Sequence, residues 1–127
     1  MPQTVVPMIH VPDVRATIDW YTSIGFELIG QNEENGEPNW ASLAFGHSEV
    51  MFNAGGKASM ASRREVDLYV RIPRIEDVYN SLKARVQVLE DLHDTFYGMR
   101  EFIIRDINGF WITFGQEVPD ERESTFD

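Results

Sequence analysis

Hydrophobic positions along the chain switch between the two-residue period of a strand and the 3.6-residue period of a helix, twice and in the same order. Residues 4–11 form an alternating, β-branched run that predicts a strand, and Pro7 restricts it to an edge, a hinge or a crossing between subunits. Asp13 then provides a helix N-cap and Gly25 a helix end. One face of this predicted helix carries Val14, Thr17, Ile18 and Tyr21. Three short predicted strands complete the unit, at 26–31, 40–46 and 48–53.

The second half of the chain repeats this order after a flexible, polar joint at residues 54–65. A predicted strand at 66–73 leads into a predicted helix at 74–86. The apolar stripe of this helix consists of Ile75, Val78, Tyr79 and Leu82. Three further strands are predicted at 86–91, 100–106 and 109–115. The sequence VPDV beginning at Val11 corresponds to IPRI beginning at Ile72, which is an internal repeat with an offset of 61 residues (72 minus 11).

These two repeats define the predicted fold. A single βαβββ unit has one helix on one face of its sheet and leaves the other face bare, so two sheets can close around their bare faces and form a pocket. The predicted fold class is therefore α+β, with two βαβββ modules at 1–55 and 65–116 that form a curved mixed sheet around a cleft. Residues 1–116 are predicted to be one domain, followed by an acidic C-terminal tail at 117–127.

Charge and composition limit the partners. The formal net charge of −10 at pH 7 argues against nucleic acid as a partner, because phosphates would be repelled. Three acids fall in a predicted loop at 31–38, and five acids with one Arg fall in the tail. The chain has no cysteine, which excludes disulfides and thiol nucleophiles. No long apolar run or charged-then-apolar leader occurs, so we expect a cytoplasmic protein with no membrane partner.

Three segments, taken in order, carry a resemblance to a known superfamily: VPDVRATIDWYTSIGFE at 11–27, IPRIEDVYNSL at 72–82 and YGMREFIIRDINGFWITFGQ at 97–116. With the internal repeat, they resemble the vicinal oxygen chelate superfamily, which contains glyoxalase I, extradiol dioxygenases and bleomycin resistance proteins. The last segment is similar to the aromatic-Gly-x-Arg-Glu-Phe, Asp-x-x-Gly pattern of the bleomycin resistance branch. This resemblance implies a homodimer with an exchanged first strand, hinged near Pro7, that sequesters a ligand without a metal.

The resemblance also indicates where enzymatic members of the superfamily bind a divalent metal. Their four ligand positions, two His and two Glu, fall at Val6, Glu49, Asp67 and Thr113. Only Glu49 matches, and Val6 cannot ligate a metal. Since a catalytic site needs about three protein ligands and an open position, we expect no metal cofactor and no catalytic residues. Weak candidates for a displaced metal site are His10, Glu49 and Asp67, whereas His47 and His93 are predicted in an exposed turn and a polar loop.

Strand alternation predicts which side chains face the pocket. In the last strand Phe110, Ile112 and Phe114 should face the helices, and Trp111 and Thr113 should face the pocket. The predicted ligand-binding residues are His10, Trp40, Glu49, Met51, Asp67, Tyr69, Tyr97, Trp111 and Thr113. Aromatic faces beside carboxylates suit a flat or cationic organic ligand.

The sequence leaves three functions open. The favoured one is metal-independent binding and sequestration of a small ligand, cationic and aromatic by its chemistry, in the manner of antibiotic resistance proteins. The alternative is a glyoxalase-type lyase or isomerase, or a dioxygenase, with a displaced divalent metal ion. The third is an interaction module that binds a peptide or its own acidic tail. The expected partners are a small-molecule ligand and a second copy of the chain.

Overall fold

A computed structural model describes residues 3–118, and residues 119–127 of the predicted acidic tail lie outside the described residues. Within that range the chain forms eight strands and two helices, in the order βαβββ repeated twice, so the predicted α+β class and its two modules are confirmed. The chain divides into two compact units between Met60 and Ala61. The bounds of the elements are β1 Met8–Val11, α1 Val14–Ser23, β2 Glu27–Glu34, β3 Glu37–Phe45, β4 Ser48–Ala54, β5 Asp67–Arg71, α2 Ile75–Leu82, β6 Gln87–Asp94, β7 Met99–Arg105 and β8 Trp111–Glu117.

The first unit is a four-stranded mixed sheet with α1 packed on one face. Its strand order is β1-β4-β3-β2, with β1 parallel to β4 and the other pairs antiparallel. Tyr21 of α1 is fully buried, with its ring centroid 4.8 Å from that of Phe52 and 5.1 Å from that of Phe26. The predicted apolar stripe of this helix is confirmed, because its buried residues are Val14, Thr17, Ile18 and Tyr21.

The first strand is shorter than predicted, because β1 begins at Met8 and not at Thr4. Pro7 has no N–H to give to the sheet, but its carbonyl accepts a hydrogen bond from Met51 N at 2.9 Å. The proline therefore lies at the entrance of the strand. In this single chain β1 pairs with β4 of the same chain, and the homodimer with an exchanged first strand stays a prediction.

Asp13 caps α1 as predicted. Its Oδ1 accepts a hydrogen bond from Ala16 N at 3.0 Å, and its carbonyl accepts one from Thr17 Oγ1 at 2.8 Å. Asp13→Ala should lower the free energy of unfolding by about 1 kcal/mol, the usual contribution of an N-cap side chain, in urea denaturation. Asp19→Ala, on the exposed side of the same helix, should change it by less than about 0.5 kcal/mol. An equal loss in both variants would contradict the capping role.

The second unit has the same architecture. Its sheet order is β5-β8-β7-β6, with β5 parallel to β8. On the face that packs against α2, the rings of Phe102 and Phe114 stack with centroids 4.9 Å apart, and Tyr79 of α2 contacts Phe102 at 5.1 Å. Ile112 and Phe114 are buried, whereas Trp111 and Thr113 are half-buried, so the predicted alternation of β8 is observed. We call the sheet face that carries Trp111 and Thr113 the open face.

The acidic segment at 31–38 is a hairpin, and its prediction as a loop is wrong. Strands β2 and β3 continue through it. Their pairing runs from Glu27 opposite Ala44 to Glu34 opposite Glu37. Asn35 and Gly36 form the turn, with φ of 55° and 80°. Positive φ at both central residues is typical of the type I′ turn that Asn-Gly favours. His93 also lies in a strand, β6, and not in the predicted polar loop.

Candidate functional site

A pocket of about 540 Å³ lies in the second unit. Its floor is the open face of the sheet, and its rim is formed by the turn between β6 and β7 and by the end of the joint. The lining residues are Arg63, Tyr69, Glu90, His93, Asp94, Thr95, Phe96, Tyr97, Glu101, Ile103 and Thr113. This volume lies within the usual range of about 300–1,000 Å³ for small-molecule sites.

A buried carboxylate, Glu101, occupies the floor of this pocket. The residue is 4 % exposed. Oε2 accepts a hydrogen bond from the hydroxyl of Tyr69 at 2.7 Å, and Oε1 accepts one from the hydroxyl of Tyr97, also at 2.7 Å. Each carboxylate oxygen therefore has a phenolic donor, which satisfies the requirement that a buried charge be hydrogen-bonded.

Tyr69 reaches Glu101 by crossing an intervening strand. Tyr69 is in β5 and Glu101 in β7, and β8 runs between them. The residue of β8 that pairs with Glu101 is Gly115. A Cβ atom at this glycine would lie 2.7 Å from Tyr69 Cζ and closer still to the hydroxyl. The absence of a side chain at Gly115 is therefore what lets the tyrosine ring pass over β8.

Both tyrosines are held in the neutral form. Partial burial of Tyr69, followed by its hydrogen bond to Glu101, raises the pKa of Tyr69 to about 12. The hydrogen bond to Glu101 is the main cause that raises the pKa of Tyr97. At neutral pH both phenols therefore donate their protons to Glu101, and this fixes the orientation of the two rings.

The rim of the pocket carries an exposed aromatic pair. Phe96 is 99 % exposed, and its ring meets that of Tyr97 edge to face with centroids 5.1 Å apart. The turn that carries them is ordered by hydrogen bonds. Thr95 N donates to the carbonyl of Met99 at 2.7 Å, and Thr95 Oγ1 accepts from Met99 N at 3.0 Å. The exposed ring of Phe96 is therefore presented on a defined turn.

Two of the predicted lining residues, Asp67 and Trp111, lie beside the pocket and contact the joint. The indole Nε1 of Trp111 donates to the carbonyl of Ser62 at 3.0 Å. The guanidinium of Arg63 lies 4.3 Å from the centroid of the Trp111 ring and forms an ion pair with Asp67. Arg63 itself lines the pocket.

The other predicted residues divide between the two units. Tyr69, Tyr97 and Thr113 come together in the pocket of the second unit. The remaining four, His10, Trp40, Glu49 and Met51, belong to the first unit. The hydroxyl of Ser42 donates to Glu49 Oε2 at 2.5 Å, and His10 Nδ1 lies 3.2 Å from the carbonyl of Ala54.

The residues at the family's metal positions do not fit a catalytic divalent metal. Val6 offers no donor atom, and Thr113 offers only a hydroxyl. The carboxylate of Glu49 already accepts from Ser42, and that of Asp67 is paired with an arginine. Across residues 3–118, no group of three or more His, Asp or Glu side chains is placed to hold a metal ion.

Sequence reasoning missed Glu101, Glu90, His93 and Arg63 as pocket residues. The first had a detectable signal, because extending the strand alternation to REFIIRD puts Glu101 on the same face as Ile103. Glu90 and His93 belong to β6, an edge strand without clear alternation. Arg63 lies in a joint with no periodicity, so its contacts depend on tertiary structure.

Two successive βαβββ modules are the architecture that the sequence resemblance implies, and the structure has them. Residues 4–114 match the family model of the Glyoxalase/Bleomycin resistance protein/Dioxygenase superfamily. The chain therefore belongs to this superfamily. No curated protein matches the sequence. Within residues 3–118 no helix is long and apolar enough to span a membrane.

Solved structures with the same fold include antibiotic-binding proteins. The chain is similar to TioX from Micromonospora sp. ML1, with a TM-score of 0.76, 21 % identity and coverage of 92 % of this chain and 100 % of that one. It is similar to a bleomycin-binding protein complexed with bleomycin, with a TM-score of 0.73, 15 % identity and coverage of 91 % and 99 %. The antibiotic-binding protein TnmS3 from Streptomyces sp. CB03234 has a TM-score of 0.64, 20 % identity and coverage of 92 % and 98 %. At these identities the likeness shows the fold alone.

Proposed function

We propose that this protein binds and sequesters a small organic molecule, as a resistance-type binding protein that uses no metal. The observation that carries this proposal is the pocket of the second unit, where exposed aromatic rings surround a buried carboxylate held by two tyrosines. Sequestration requires shape and polarity only, so a site without a nucleophile–base pair or a metal-ligand set is sufficient for it.

The lining of the pocket favours a flat ligand with a positive charge. Phe96, Tyr97 and Tyr69 are 99 %, 56 % and 47 % exposed, and a planar molecule that covers these rings removes apolar surface from water. Three carboxylates of the lining, Glu90, Asp94 and Glu101, outnumber its one arginine, Arg63, so the pocket has a net negative charge. Aromatic faces also attract cations. Similarity of fold to a bleomycin-binding protein and to an antibiotic-binding protein supports this ligand class.

Calorimetric titration with bleomycin-class compounds and other cationic aromatic molecules tests the proposal. We expect at least one compound to bind with a Kd of about 10 μM or below. Phe96→Ala should weaken that binding about tenfold, because it removes the most exposed ring of the rim. Ile107→Ala is the matched control, since Ile107 is also an exposed hydrophobic residue but lies in the β7–β8 turn and outside the pocket lining.

Two outcomes would count against this function. One is the absence of binding heat across the whole panel. The other is a stoichiometric transition-metal ion in the purified protein that is lost on Glu49→Ala, which would favour the glyoxalase-type alternative. The homodimer stays a prediction, which light scattering tests by measuring the molar mass in solution. The cytoplasmic location is also a prediction.

A further inference from the structure

We infer that Trp111 and Asp67 form a subsite for a guanidinium or amidinium group, and that the side chain of Arg63 is its internal occupant. This inference rests on the proposed function in one respect, because the subsite adjoins the pocket and would bind the cationic end of the same ligand.

The subsite combines the two elements that recognise a planar cation. Asp67 and Trp111 are paired in register across β5 and β8, so a carboxylate and an indole lie side by side on the open face. The guanidinium of Arg63 lies 4.3 Å above the indole centroid and is ion-paired with the carboxylate. Stacking on an aromatic face together with pairing to a carboxylate is how proteins bind guanidinium groups.

The walls of the subsite are held by groups other than the Arg63 side chain. The indole N–H of Trp111 donates to the carbonyl of Ser62 at 3.0 Å. The same carbonyl accepts from Arg105 Nη2 at 2.6 Å. The indole is therefore oriented by a backbone carbonyl and by its own strand, and it should keep its position when the guanidinium of Arg63 leaves.

Arg63 is suited to displacement. Its side chain is 55 % exposed and that of Asp67 is 33 % exposed, and ion pairs in contact with water contribute little to stability. A guanidinium is a cation at every physiological pH, so Arg63 competes with a ligand cation throughout that range, and its hydrogen bond to Asp67 raises its pKa further. A ligand guanidinium would form the same contacts, and the released Arg63 would regain its rotamer freedom in water.

The position of Arg63 links the subsite to the pocket. Arg63 lines the pocket together with Tyr69 and Thr113, which pair across β5 and β8 two residues beyond Asp67 and Trp111. The subsite therefore lies about 7 Å along the strands from a planar ligand in the pocket, which is the distance between successive side chains on one face of a sheet.

Titration of the ¹⁵N-labelled protein with benzamidine, and with its neutral analogue benzamide, tests this inference. The indole N–H signal of Trp111, identified by its loss in Trp111→Phe, reports on the subsite. We expect Arg63→Gln to bind benzamidine about five- to tenfold more tightly than the unmodified protein, which is a gain in binding free energy of about 1.0–1.4 kcal/mol. The Trp111 signal should shift as benzamidine binds. Arg63→Lys, which keeps a cation, should stay within about twofold of the unmodified protein.

Arg74→Gln is the matched control for loss of a charge. It removes an arginine that is also paired with a carboxylate, Asp77, but lies at the start of α2 and not on the open face. Its affinity for benzamidine should not change, and benzamide should not move the Trp111 signal in any variant.

Several results would overturn the subsite. They are an unchanged or lower affinity in Arg63→Gln, an equal gain in Arg63→Lys or Arg74→Gln, and an equal gain with benzamide. Binding that shifts the amides of Tyr97 and Thr113 but not the Trp111 indole would overturn the subsite and leave the pocket intact. A responding indole together with an antibiotic panel without binding heat would support the subsite and refute the proposed function.

Discussion

Gly56→Ala should lower the free energy of unfolding by about 2–3 kcal/mol, the upper end of the range for overpacking. A Cβ atom at residue 56 would lie 2.5 Å from Val11 N and closer still to the carbonyl of His10. These are backbone atoms of β1, which is paired with β4 and cannot swing away as a side chain would. Gly56 N also donates to the carbonyl of Val11 at 3.2 Å, so the alanine would break the contact that fastens the joint to the strand.

Thermal and urea unfolding measure this effect. For a domain of this size the loss corresponds to a decrease in Tm of roughly 6–12 °C. Gly30→Ala is the control, because its Cβ would lie 3.5 Å from the ring of Trp40, an ordinary contact, and it should change the stability by less than about 1 kcal/mol. An unchanged Tm in Gly56→Ala would mean that residue 56 does not approach β1 as described.

The order of the elements could be predicted because buried faces impose a period on the sequence. Tyr21 and Phe114 belong to a helix and a strand that each bury one face, and such elements keep their apolar residues at a spacing of 3.6 or 2. Turn-forming residues mark where consecutive elements connect. The carboxylate of Asp106 accepts hydrogen bonds from Asn108 N at 2.8 Å and Phe110 N at 2.7 Å, which closes the turn between the strands predicted at 100–106 and 109–115.

The edge strands could not be delimited in this way. Strands β2 and β6 form one edge of each sheet, and most of their residues are exposed. Without a buried face there is no alternation to detect, so acidic residues such as Glu33 and Glu34 indicated a loop where the structure has a strand. The Asn35-Gly36 pair was the remaining signal for a hairpin at this point.

The candidate site was predictable in part for the same reason. Alternation gives the face on which a side chain starts, and it placed Tyr69 and Thr113 correctly on the open face. It does not give the distance that a long side chain travels across the sheet. The contact of Tyr69 with Glu101 crosses a whole strand, and the stacking of Arg63 on Trp111 comes from a segment without secondary structure.

Gly115→Ala should separate Tyr69 from Glu101, because the new methyl group would occupy the space through which the tyrosine ring passes. Tyr69 is 47 % exposed, so its ring can rotate into solvent, and the protein should stay folded. The hydrogen bond of Tyr69 to a buried carboxylate would be lost, which should lower the free energy of unfolding by about 2 kcal/mol. The pKa of Tyr69 should fall from about 12 towards its ordinary value of about 10, because both its burial and its hydrogen bond to Glu101 would decrease.

The sign of the pH dependence follows from this pKa. Because the pKa of Tyr69 is raised in the folded state, its contribution to stability is complete below about pH 10 and is lost as the pH rises to about 12. Gly115→Ala should lose less stability than the unmodified protein over this interval. Absorbance titration of the four tyrosines measures the pKa, with Tyr69→Phe identifying the transition that belongs to Tyr69.

A double-mutant cycle separates the collision with Tyr69 from every other effect of an added methyl group. Suppose that Gly115 is required only to let the ring of Tyr69 cross β8. Gly115→Ala should then lower the free energy of unfolding by about 2 kcal/mol in the unmodified protein. In a Tyr69→Ala background it should lower it by less than about 0.5 kcal/mol. An equal cost in both backgrounds would assign the effect to the strand itself. In the unmodified background the variant should also weaken ligand binding, because Tyr69 then no longer holds the buried carboxylate and the floor of the pocket loses one of its two fixed rings.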